Sequence, residues 1–291
     1  MNKINTLTTL NHREYTHLYS VFCPLMEQRL SNYTLKGTLR KYKQVKESKL
    51  SSLYGNEAKL KFILQYLKQN PSQAFMAEYS GICQSKVSEW IKYLLVVLHE
   101  TLDRLNFLAQ RQGSFTIDEN LDYILCDVTE RQVSRSTDYE LQKEFYSGKK
   151  KTHTVKNLVL SDSKTYIHYL GETYEGSLHD KTLWDEIGLK PSPVTIIADL
   201  GFLGADKENE NVILPYKSSK HHPLTTLQKQ INKAIAQVRV RVEHAFAGVK
   251  RLKVVKEKIR LRTSQILDRI MDIAVGLHNL RVTFRTINNK P

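Results

Sequence analysis

The hydrophobic positions of the first hundred residues recur at the three- and four-residue spacing of amphipathic helices. Two helical regions are predicted, over residues 11–30 and 57–101, and the polar, basic residues 31–49 between them are predicted to be a linker or loop. Pro71 and Gly81 divide the second region into three helices, because proline resists the helix interior and glycine permits a tight turn. The first part of the chain is therefore predicted to be all-α.

The last two of these helices, on either side of Gly81, have the outline of a helix-turn-helix. In that motif the N-terminal residues of the second helix enter the major groove of DNA. The candidate DNA contacts are Gln84, Ser85, Lys86, Ser88 and Glu89, with Lys92 placed for a phosphate. An ordinary three-helix bundle that binds nothing has the same hydrophobic pattern, so DNA binding is one of two interpretations of this segment.

The pattern changes after Gly113, where runs rich in β-branched and aromatic residues predict strands. The predicted strands cover residues 117–128, 154–160, 166–170, 194–198 and 211–216, and the predicted helices cover residues 177–187, 225–254 and 264–286. Three strands, a helix, two more strands and then helices indicate an α/β domain with a mixed sheet. The predicted boundary near residues 105–116 separates an all-α domain, residues 1–110, from an α/β domain, residues 111–291.

Composition narrows the possible classes of function. Hydrophobic residues make up 41% and charged residues 25% of the chain, as in globular proteins, and no apolar run approaches the roughly 20 residues that span a bilayer. Three scattered cysteines fit no zinc or disulfide pattern and the N-terminus has no signal-peptide pattern, so a cytoplasmic setting is predicted. The net charge of +14 favours a polyanionic partner, although a generic basic protein has the same charge.

Two aspartates, Asp127 and Asp199, each end an apolar run that is predicted to be a buried strand. A carboxylate in that position is costly unless it meets a cation or a strong hydrogen-bond donor. Ligands of open α/β sheets gather at the carboxyl ends of the strands, so the two aspartates are candidates for one shared site. Glu243 lies among arginines in the predicted helix over residues 225–254, where a surface ion pair with Arg239 is the alternative interpretation.

Together the three acids form a set of oxygen donors. Oxygen-only ligands select hard cations such as Mg²⁺ or Mn²⁺. Two such ions about 3.5–4 Å apart activate the attacking oxygen and stabilise the leaving oxygen of a phosphodiester. The predicted cofactor is therefore Mg²⁺ or Mn²⁺, with two ions per active site, and no cysteine or serine nucleophile is required.

Seven short strings carry a resemblance to a known family and occur in its order across residues 125–282. They are Asp127-Val-Thr-Glu130, Tyr146-Ser-Gly-Lys-Lys-Lys-Thr-His-Thr-Val-Lys156, Gly176-Ser-Leu-His-Asp180, Ala198-Asp-Leu-Gly-Phe202, Leu214-Pro-Tyr-Lys217, Arg239-Val-Arg-Val-Glu-His244 and Gly276-Leu-His-Asn-Leu-Arg281. The chain resembles the DDE transposases of bacterial insertion sequences, in the branch related to the eukaryotic Harbinger elements. The helical segment before these strings also resembles the N-terminal DNA-binding module of that family.

The resemblance implies an RNase H-like catalytic domain preceded by an all-α helix-turn-helix domain. In such a domain the first and fourth strands are neighbours, which brings Asp127 and Asp199 together, and a later helix adds Glu243. These three residues are then the catalytic residues and the metal ligands. The family's second motif usually has a lysine and a tyrosine around its glycine, whereas this chain has Leu200 and Phe202.

Further acids and bases are secondary candidates. Asp180, at the start of a helix, is either a ligand or, as we prefer, an acid that suits the helix dipole. Glu130 is either a partner of the site or a surface acid. One basic run consists of Lys149, Lys150, Lys151, His153 and Lys156. We interpret it as a clamp on the DNA backbone, with a solvated edge of the sheet as the alternative. A second basic group, placed on the helix of Glu243 and interpreted as phosphate contacts, consists of Arg239, Arg241, Lys250 and Arg251.

The sequence thus predicts a DNA transposase that binds the terminal inverted repeats of its own element. Water first attacks a phosphodiester at the element end, and the freed 3′-hydroxyl then attacks target DNA in the same pocket. The expected partners are double-stranded DNA and a second copy of the chain, because two ends must be joined, and the expected setting is the bacterial cytoplasm near the nucleoid. Two alternatives remain open: a transposase-derived DNA-binding protein that does not cleave, and an RNase H-like nuclease that cleaves without joining.

Overall fold

The computed structural model describes residues 3–43, 53–111, 116–188, 193–260 and 264–288, which form two compact units. The helical unit consists of Met1–Leu108, Lys250–Glu257 and Gln265–Pro291. The sheet unit consists of Ala109–Val249 and Lys258–Ser264. The break after Leu108 lies close to the boundary predicted from the sequence near residues 105–116, of which residues 112–115 lie outside the described residues.

Helices account for most of the helical unit, and strands are confined to the sheet unit. The helices of the described residues are α1 (Lys3–Thr8), α2 (His12–Asn32), α3 (Asn56–Gln69), α4 (Gln73–Ser80), α5 (Gln84–Arg104), α6 (Tyr139–Phe145), α7 (Asp180–Ile187), α8 (Ala205–Glu208), α9 (Thr226–Val249), α10 (Lys253–Lys256) and α11 (Ser264–Asn288). The strands are β1 (Ile124–Gln132), β2 (Tyr146–Ser147), β3 (Thr152–Asp162), β4 (Ile167–Leu170), β5 (Tyr174–Glu175), β6 (Ile196–Ile197) and β7 (Val212–Ile213). In the described part of the chain, no helix combines the length and the apolar sequence that crossing a membrane requires.

Local sequence signals set the ends of the helices in the helical unit. The Asn11 side chain accepts a hydrogen bond from the Glu14 N–H at 3.0 Å, and the Glu14 carboxylate accepts one from the Asn11 N–H at 2.7 Å, so a capping box begins α2. The Ser72 hydroxyl accepts a hydrogen bond from the Phe75 N–H at 3.1 Å at the start of α4. Gly81 ends α4 with a φ of 64°, in the left-handed region. The predicted order of helix, glycine turn and helix is therefore present at α4 and α5.

The predicted linker over residues 31–49 is only partly described, because residues 44–49 lie outside the described residues. In its described part the Arg40 Nε donates hydrogen bonds to the carbonyl oxygens of Leu30 and Tyr33, each at 3.0 Å. These bonds hold the chain against the C-terminal end of α2. The described part of the linker is therefore a folded-back segment.

The last helix, α11, belongs to the helical unit, although the sequence placed it in the second domain. It is buried along most of its length between Ile270 and Val282. A Cβ on Gly276 would lie 3.1 Å from side-chain carbons of Leu102 and Leu108, so the helix packs closely against the end of α5. The hydrophobic periodicity of a helix identifies its buried face but does not show which other helices cover that face. The sequence therefore did not predict that α11 packs with the N-terminal helices.

The end of α9 also differs from the sequence-based prediction. The sequence predicted one helix over residues 225–254, but α9 ends at Val249. Lys250 and Arg251 therefore lie beyond the helix that was predicted to carry them. Leu252 and the valines of α10 are buried in the helical unit, where α10 packs against α3. Their apolar pattern continues that of α9, although the helix itself has ended.

β1 lies at the centre of a mixed sheet whose strand order is β2-β3-β1-β6-β7. It runs antiparallel to β3 and parallel to β6, and β6 runs parallel to β7. One face of the sheet packs into a core with Leu183 and Trp184 of α7 and with Phe202, which follows β6. The predicted α/β class with a mixed sheet is confirmed.

Gly176, in the string before α7, has no room for a side chain. A Cβ there would lie 2.2 Å from the Thr154 hydroxyl oxygen and 2.8 Å from the Phe145 carbonyl oxygen. We expect Gly176→Ala to lower the free energy of unfolding by about 1–3 kcal/mol, because backbone atoms must shift. Urea unfolding followed by circular dichroism measures the change. Gly148→Ala is the matched control, because a Cβ at that glycine would meet no atom within 4 Å, and an equal loss in both variants would contradict the prediction.

Candidate active site

Two aspartates lie side by side on neighbouring parallel strands. The sequence predicted that both end a strand, but β1 continues to Gln132, so Asp127 lies within its strand and only Asp199 follows the end of one. In the register of β1 and β6, Leu125 lies opposite Ile197. Two residues further along each chain, this register leads to Asp127 on β1 and to Asp199, just beyond β6. The pairing of these strands therefore brings the two carboxylates to matching positions, beyond the end of β6 and within β1.

The backbone anchors one oxygen of each carboxylate. Oδ1 of Asp127 accepts a hydrogen bond from the Val128 N–H at 2.8 Å. Oδ1 of Asp199 accepts one from the Gly201 N–H at 2.8 Å, at the start of a 3₁₀ turn over Leu200–Phe202. These bonds orient both carboxylates and leave their Oδ2 atoms for other partners.

Both Oδ2 atoms face the guanidinium group of Arg239. The helix α9 packs against β1 and carries this arginine to the two aspartates. Nη2 of Arg239 lies 3.5 Å from Oδ2 of Asp127 and 3.8 Å from Oδ2 of Asp199. The sequence offered Glu243 as the ion-pair partner of Arg239, but the structure pairs this arginine with the two aspartates.

The surroundings of Asp127 favour a cation beside it. Burial raises the pKa of Asp127 to about 6; the Val128 N–H and Arg239 act to lower it, and the charges of Asp199 and Asp180 act to raise it. At neutral pH this carboxyl group is mostly ionised, and a positive charge beside it stabilises the ionised form. Carboxylate oxygens are ligands that suit hard divalent ions, so the two aspartates fit a magnesium or manganese ion.

A third acid, Asp180, lies beside Asp199. A Cβ on Gly201 would lie 2.8 Å from Oδ2 of Asp180 and 2.9 Å from Oδ1 of Asp199, so the glycine fills the narrow space between the two carboxylates. Asp180 begins α7, as predicted, and its Oδ1 accepts a hydrogen bond from the Lys156 Nζ at 3.0 Å. The sequence showed Gly201 only as one letter of a string, because its close contacts arise between distant segments.

Glu243 is exposed on α9, one helical turn after Arg239. Within residues 3–43, 53–111, 116–188, 193–260 and 264–288, no three His, Cys, Asp or Glu side chains are grouped so that they could hold a metal ion. The structure thus brings Asp127 and Asp199 to Arg239 and places Asp180 beside Asp199, while Glu243 does not complete a three-residue ligand group. Its role as a ligand stays a prediction.

The basic run before and within β3 divides into two kinds of lysine. The exposed lysines, in the turn between β2 and β3, are Lys149, Lys150 and Lys151. Lys156 is buried instead, and its Nζ donates hydrogen bonds to the Leu178 carbonyl oxygen at 2.6 Å and to Asp180. The contacts of Lys156 are internal, which does not suit a clamp on the DNA backbone.

Two further candidates, Glu130 and Arg241, each make an internal hydrogen bond within the sheet unit. Glu130 lies three residues after Asp127 on β1, so it projects to the opposite face of the strand. Its carboxylate accepts a hydrogen bond from the Thr154 hydroxyl at 3.0 Å. Arg241 is exposed on α9, and its Nη1 donates a hydrogen bond to the Ser163 carbonyl oxygen at 2.5 Å.

The candidate DNA contacts of the helical unit lie at the start of α5. Gln84, Ser85 and Lys86 are exposed there, Ser88 is half-buried, and Lys92 is exposed one turn later. Lys86 forms an ion pair with Glu89 at 2.7 Å. The N-terminal turn of α5 therefore presents polar side chains to solvent.

Comparison with known proteins gives two relatives that are named as transposases. The chain is 31% identical over 169 residues to a transposase for insertion sequence element IS702 of Microchaete diplosiphon, a match that covers 57% of this chain and 59% of that protein. It is 28% identical over 135 residues to a transposase for insertion sequence element IS112 of Streptomyces albus G, covering 45% of this chain and 50% of that protein. These matches thus span between half and three fifths of the relatives' lengths. No solved structure gives a significant match.

A family model extends this similarity over the whole candidate site. The model for the DDE superfamily endonucleases matches residues 126–279, more than half of the chain. The matched region includes Asp127, Asp180, Asp199 and the α9 residues Arg239 and Glu243. The family membership expected from the seven strings is confirmed: the chain belongs to the DDE superfamily endonucleases.

Proposed function

We propose that this protein is a DNA transposase that binds the terminal inverted repeats of its own element and catalyses metal-dependent strand cleavage and strand transfer. The observation that carries the proposal is the placement of Asp127 and Asp199 at matching positions of neighbouring parallel strands, with both Oδ2 atoms facing the guanidinium group of Arg239. This arrangement lies in a chain that belongs to a family of DNA endonucleases. Its two relatives named as transposases of insertion sequences support the element-specific reaction.

Asp127 and Asp199 would hold the divalent ions, with Glu243 as the third ligand from α9. Bound Mg²⁺ or Mn²⁺ ions, two per site, supply activation of the attacking oxygen and stabilisation of the leaving oxygen. The hydrogen bonds to the Val128 and Gly201 N–H groups keep both aspartates oriented toward one position. The hydroxyl freed by the first cut is then the nucleophile for joining, so no covalent bond to the protein is needed.

The DNA is bound by two surfaces in this proposal. The exposed start of α5 reads the terminal repeat in the major groove, within an N-terminal helix-turn-helix domain. In the sheet unit, the exposed residues Lys149, Lys150, Lys151 and Arg241 contact phosphates of the DNA backbone, without reading the DNA sequence. Because two ends must be cut and joined together, the active form on DNA is at least a dimer, and the proposed setting is the bacterial nucleoid.

The central test is the loss of chemistry without loss of DNA binding. We expect Asp127→Asn, Asp199→Asn and Glu243→Gln each to reduce cleavage of a terminal-repeat duplex to background, because each removes a metal ligand. Cleavage is measured as nicking of end-labelled DNA with Mg²⁺ or Mn²⁺, and EDTA is expected to abolish it. Binding of the same duplex by gel shift is expected to stay within about twofold, equivalent to about 0.4 kcal/mol.

Several outcomes of that experiment would contradict the proposal. No nicking by the unaltered protein would indicate a DNA-binding protein that does not cleave, and nicking without joining would indicate a nuclease. Loss of DNA binding in all three variants would identify the acids as structural. Full activity in Glu243→Gln alone would remove Glu243 from the ligand set.

A second prediction concerns the start of α5 and its proposed recognition of the DNA sequence. We expect Gln84→Ala to reduce the preference for the terminal repeat over unrelated DNA by roughly 1–3 kcal/mol, because a base contact is lost. Lys92→Ala is expected to weaken binding to both DNAs equally and to lower the salt dependence by about one phosphate contact. Fluorescence anisotropy at several salt concentrations separates the two effects. Equal effects of both variants on the two DNAs would contradict the proposed reading role.

The two kinds of lysine in the basic run give a third prediction. We expect Lys156→Met to destabilise the fold by about 3 kcal/mol, because Asp180 is left as an uncompensated, largely buried charge. Lys150→Ala is expected to change stability by less than about 0.5 kcal/mol and to weaken DNA binding at low salt. Urea unfolding and anisotropy on both variants make the comparison, and a stable Lys156→Met protein with weakened DNA binding would reverse the assignment.

A further inference from the structure

Arg239 occupies the position that two opposed carboxylates leave for a cation. Its Nη2 contacts Oδ2 of Asp127 at 3.5 Å and Oδ2 of Asp199 at 3.8 Å. These distances are those of ion pairs and exceed those of good charge-assisted hydrogen bonds. The Nε of Arg239 is buried and has no hydrogen-bond partner among the described residues. The guanidinium is therefore held mainly by charge, without a network of hydrogen bonds that would fix it.

Arg239 faces the carboxylate oxygens of Asp127 and Asp199 that are left for a metal ion. Oδ1 of each aspartate already accepts a backbone hydrogen bond, from Val128 and from Gly201. The Oδ2 atoms are the remaining oxygens of the pair, and both point at the guanidinium. A divalent ion bound by both Oδ2 atoms would take the position that the guanidinium of Arg239 now occupies. The ion and the guanidinium therefore exclude each other, because two positive charges at one position repel strongly.

The geometry of α9 allows Arg239 to leave without a change of fold. The helix packs against β1, and its apolar residues Val242, Ala245 and Phe246 are buried. Arg239 itself is joined to this helix by a long side chain with several rotatable bonds, and about a fifth of the side chain is exposed. A rotation of the side chain alone therefore suffices to move the guanidinium toward solvent.

We propose that Arg239 is an exchangeable counter-ion, which lies between Asp127 and Asp199 when no divalent ion is bound and turns out of the site when an ion binds. This inference rests on the proposed metal-dependent function. In the metal-free protein the arginine offsets the repulsion of the two carboxylates. In the metal-bound protein the displaced guanidinium becomes available for a DNA phosphate. The binding of metal and the binding of the DNA backbone are then linked through the side chain of Arg239.

The direct test measures the accessibility of the Arg239 guanidinium. The full-length protein is treated with phenylglyoxal with and without Mg²⁺, and modification of each arginine is quantified by peptide mass spectrometry. We expect Arg239 to be modified several times faster with Mg²⁺, and Arg241, already exposed, to keep its rate. Asp127→Asn is expected to abolish the Mg²⁺ effect. Modification of Arg239 that is unchanged or slower with Mg²⁺ would overturn the proposal.

A second test uses the affinity for Mn²⁺ and needs no DNA. Arg239→Gln is expected to melt at a lower temperature than the unaltered protein without metal and to bind Mn²⁺ about tenfold more tightly, equivalent to about 1.4 kcal/mol, because the competitor is gone. The difference in melting temperature is expected to vanish at saturating Mn²⁺. Arg241→Gln removes the same charge from the same helix and is expected to alter the Mn²⁺ affinity by less than about twofold.

The outcomes separate this inference from the proposed function. Weaker or unchanged Mn²⁺ binding by Arg239→Gln, with tight binding by the unaltered protein, overturns the exchange and leaves the metal site intact. Equal tightening in Arg239→Gln and Arg241→Gln also overturns it, since a general charge effect then explains the result. The absence of Mn²⁺ binding in the unaltered protein overturns the proposed metal site itself, and the inference with it.

Discussion

The carboxylates of Asp127 and Asp199 lie close together on neighbouring strands and repel each other, and a few contacts of the sheet unit offset that repulsion. The parallel pairing of β1 and β6 sets the closeness of Asp127 and Asp199, and backbone N–H groups hold one oxygen of each. Arg239 then supplies the positive charge that faces the other two oxygens. Asp180 adds a third negative charge nearby, whose own counter-ion is the buried Lys156. The site is thus a small region of excess negative charge in a basic protein, as expected where cations bind.

The sequence predicted the parts of the fold that depend on local pattern. The helix–glycine–helix order around Gly81 and the α/β class with a mixed sheet are present in the structure. Strand limits were less accurate: β1 begins at Ile124, not at residue 117, because Asp118 and Leu121 form a hydrogen-bonded turn before it. A run of apolar residues shows that a segment is buried, but turn formation within it depends on backbone hydrogen bonds that the pattern does not contain.

The sequence likewise predicted only part of the candidate site. Placing Asp127 and Asp199 together required only that two buried strands should be parallel neighbours, which the family resemblance implied. The use of Arg239 as their ion-pair partner and the internal contacts of Lys156 could not be predicted in this way. Both depend on side chains from segments far apart in the chain, and a row of basic residues looks the same in sequence whether its members face solvent or a buried acid.

The packing of α11 within the helical unit has a consequence for how the protein is made. A ribosome releases α5 before the sheet unit, but the apolar surface of α5 around Leu102 is completed by Gly276 and its neighbours, which are synthesised after the sheet unit. The sheet unit can therefore fold on the ribosome while the earlier helices still lack part of their core. The helical unit completes its packing only once α11 has been made, so its core cannot be finished before the sheet unit has been synthesised.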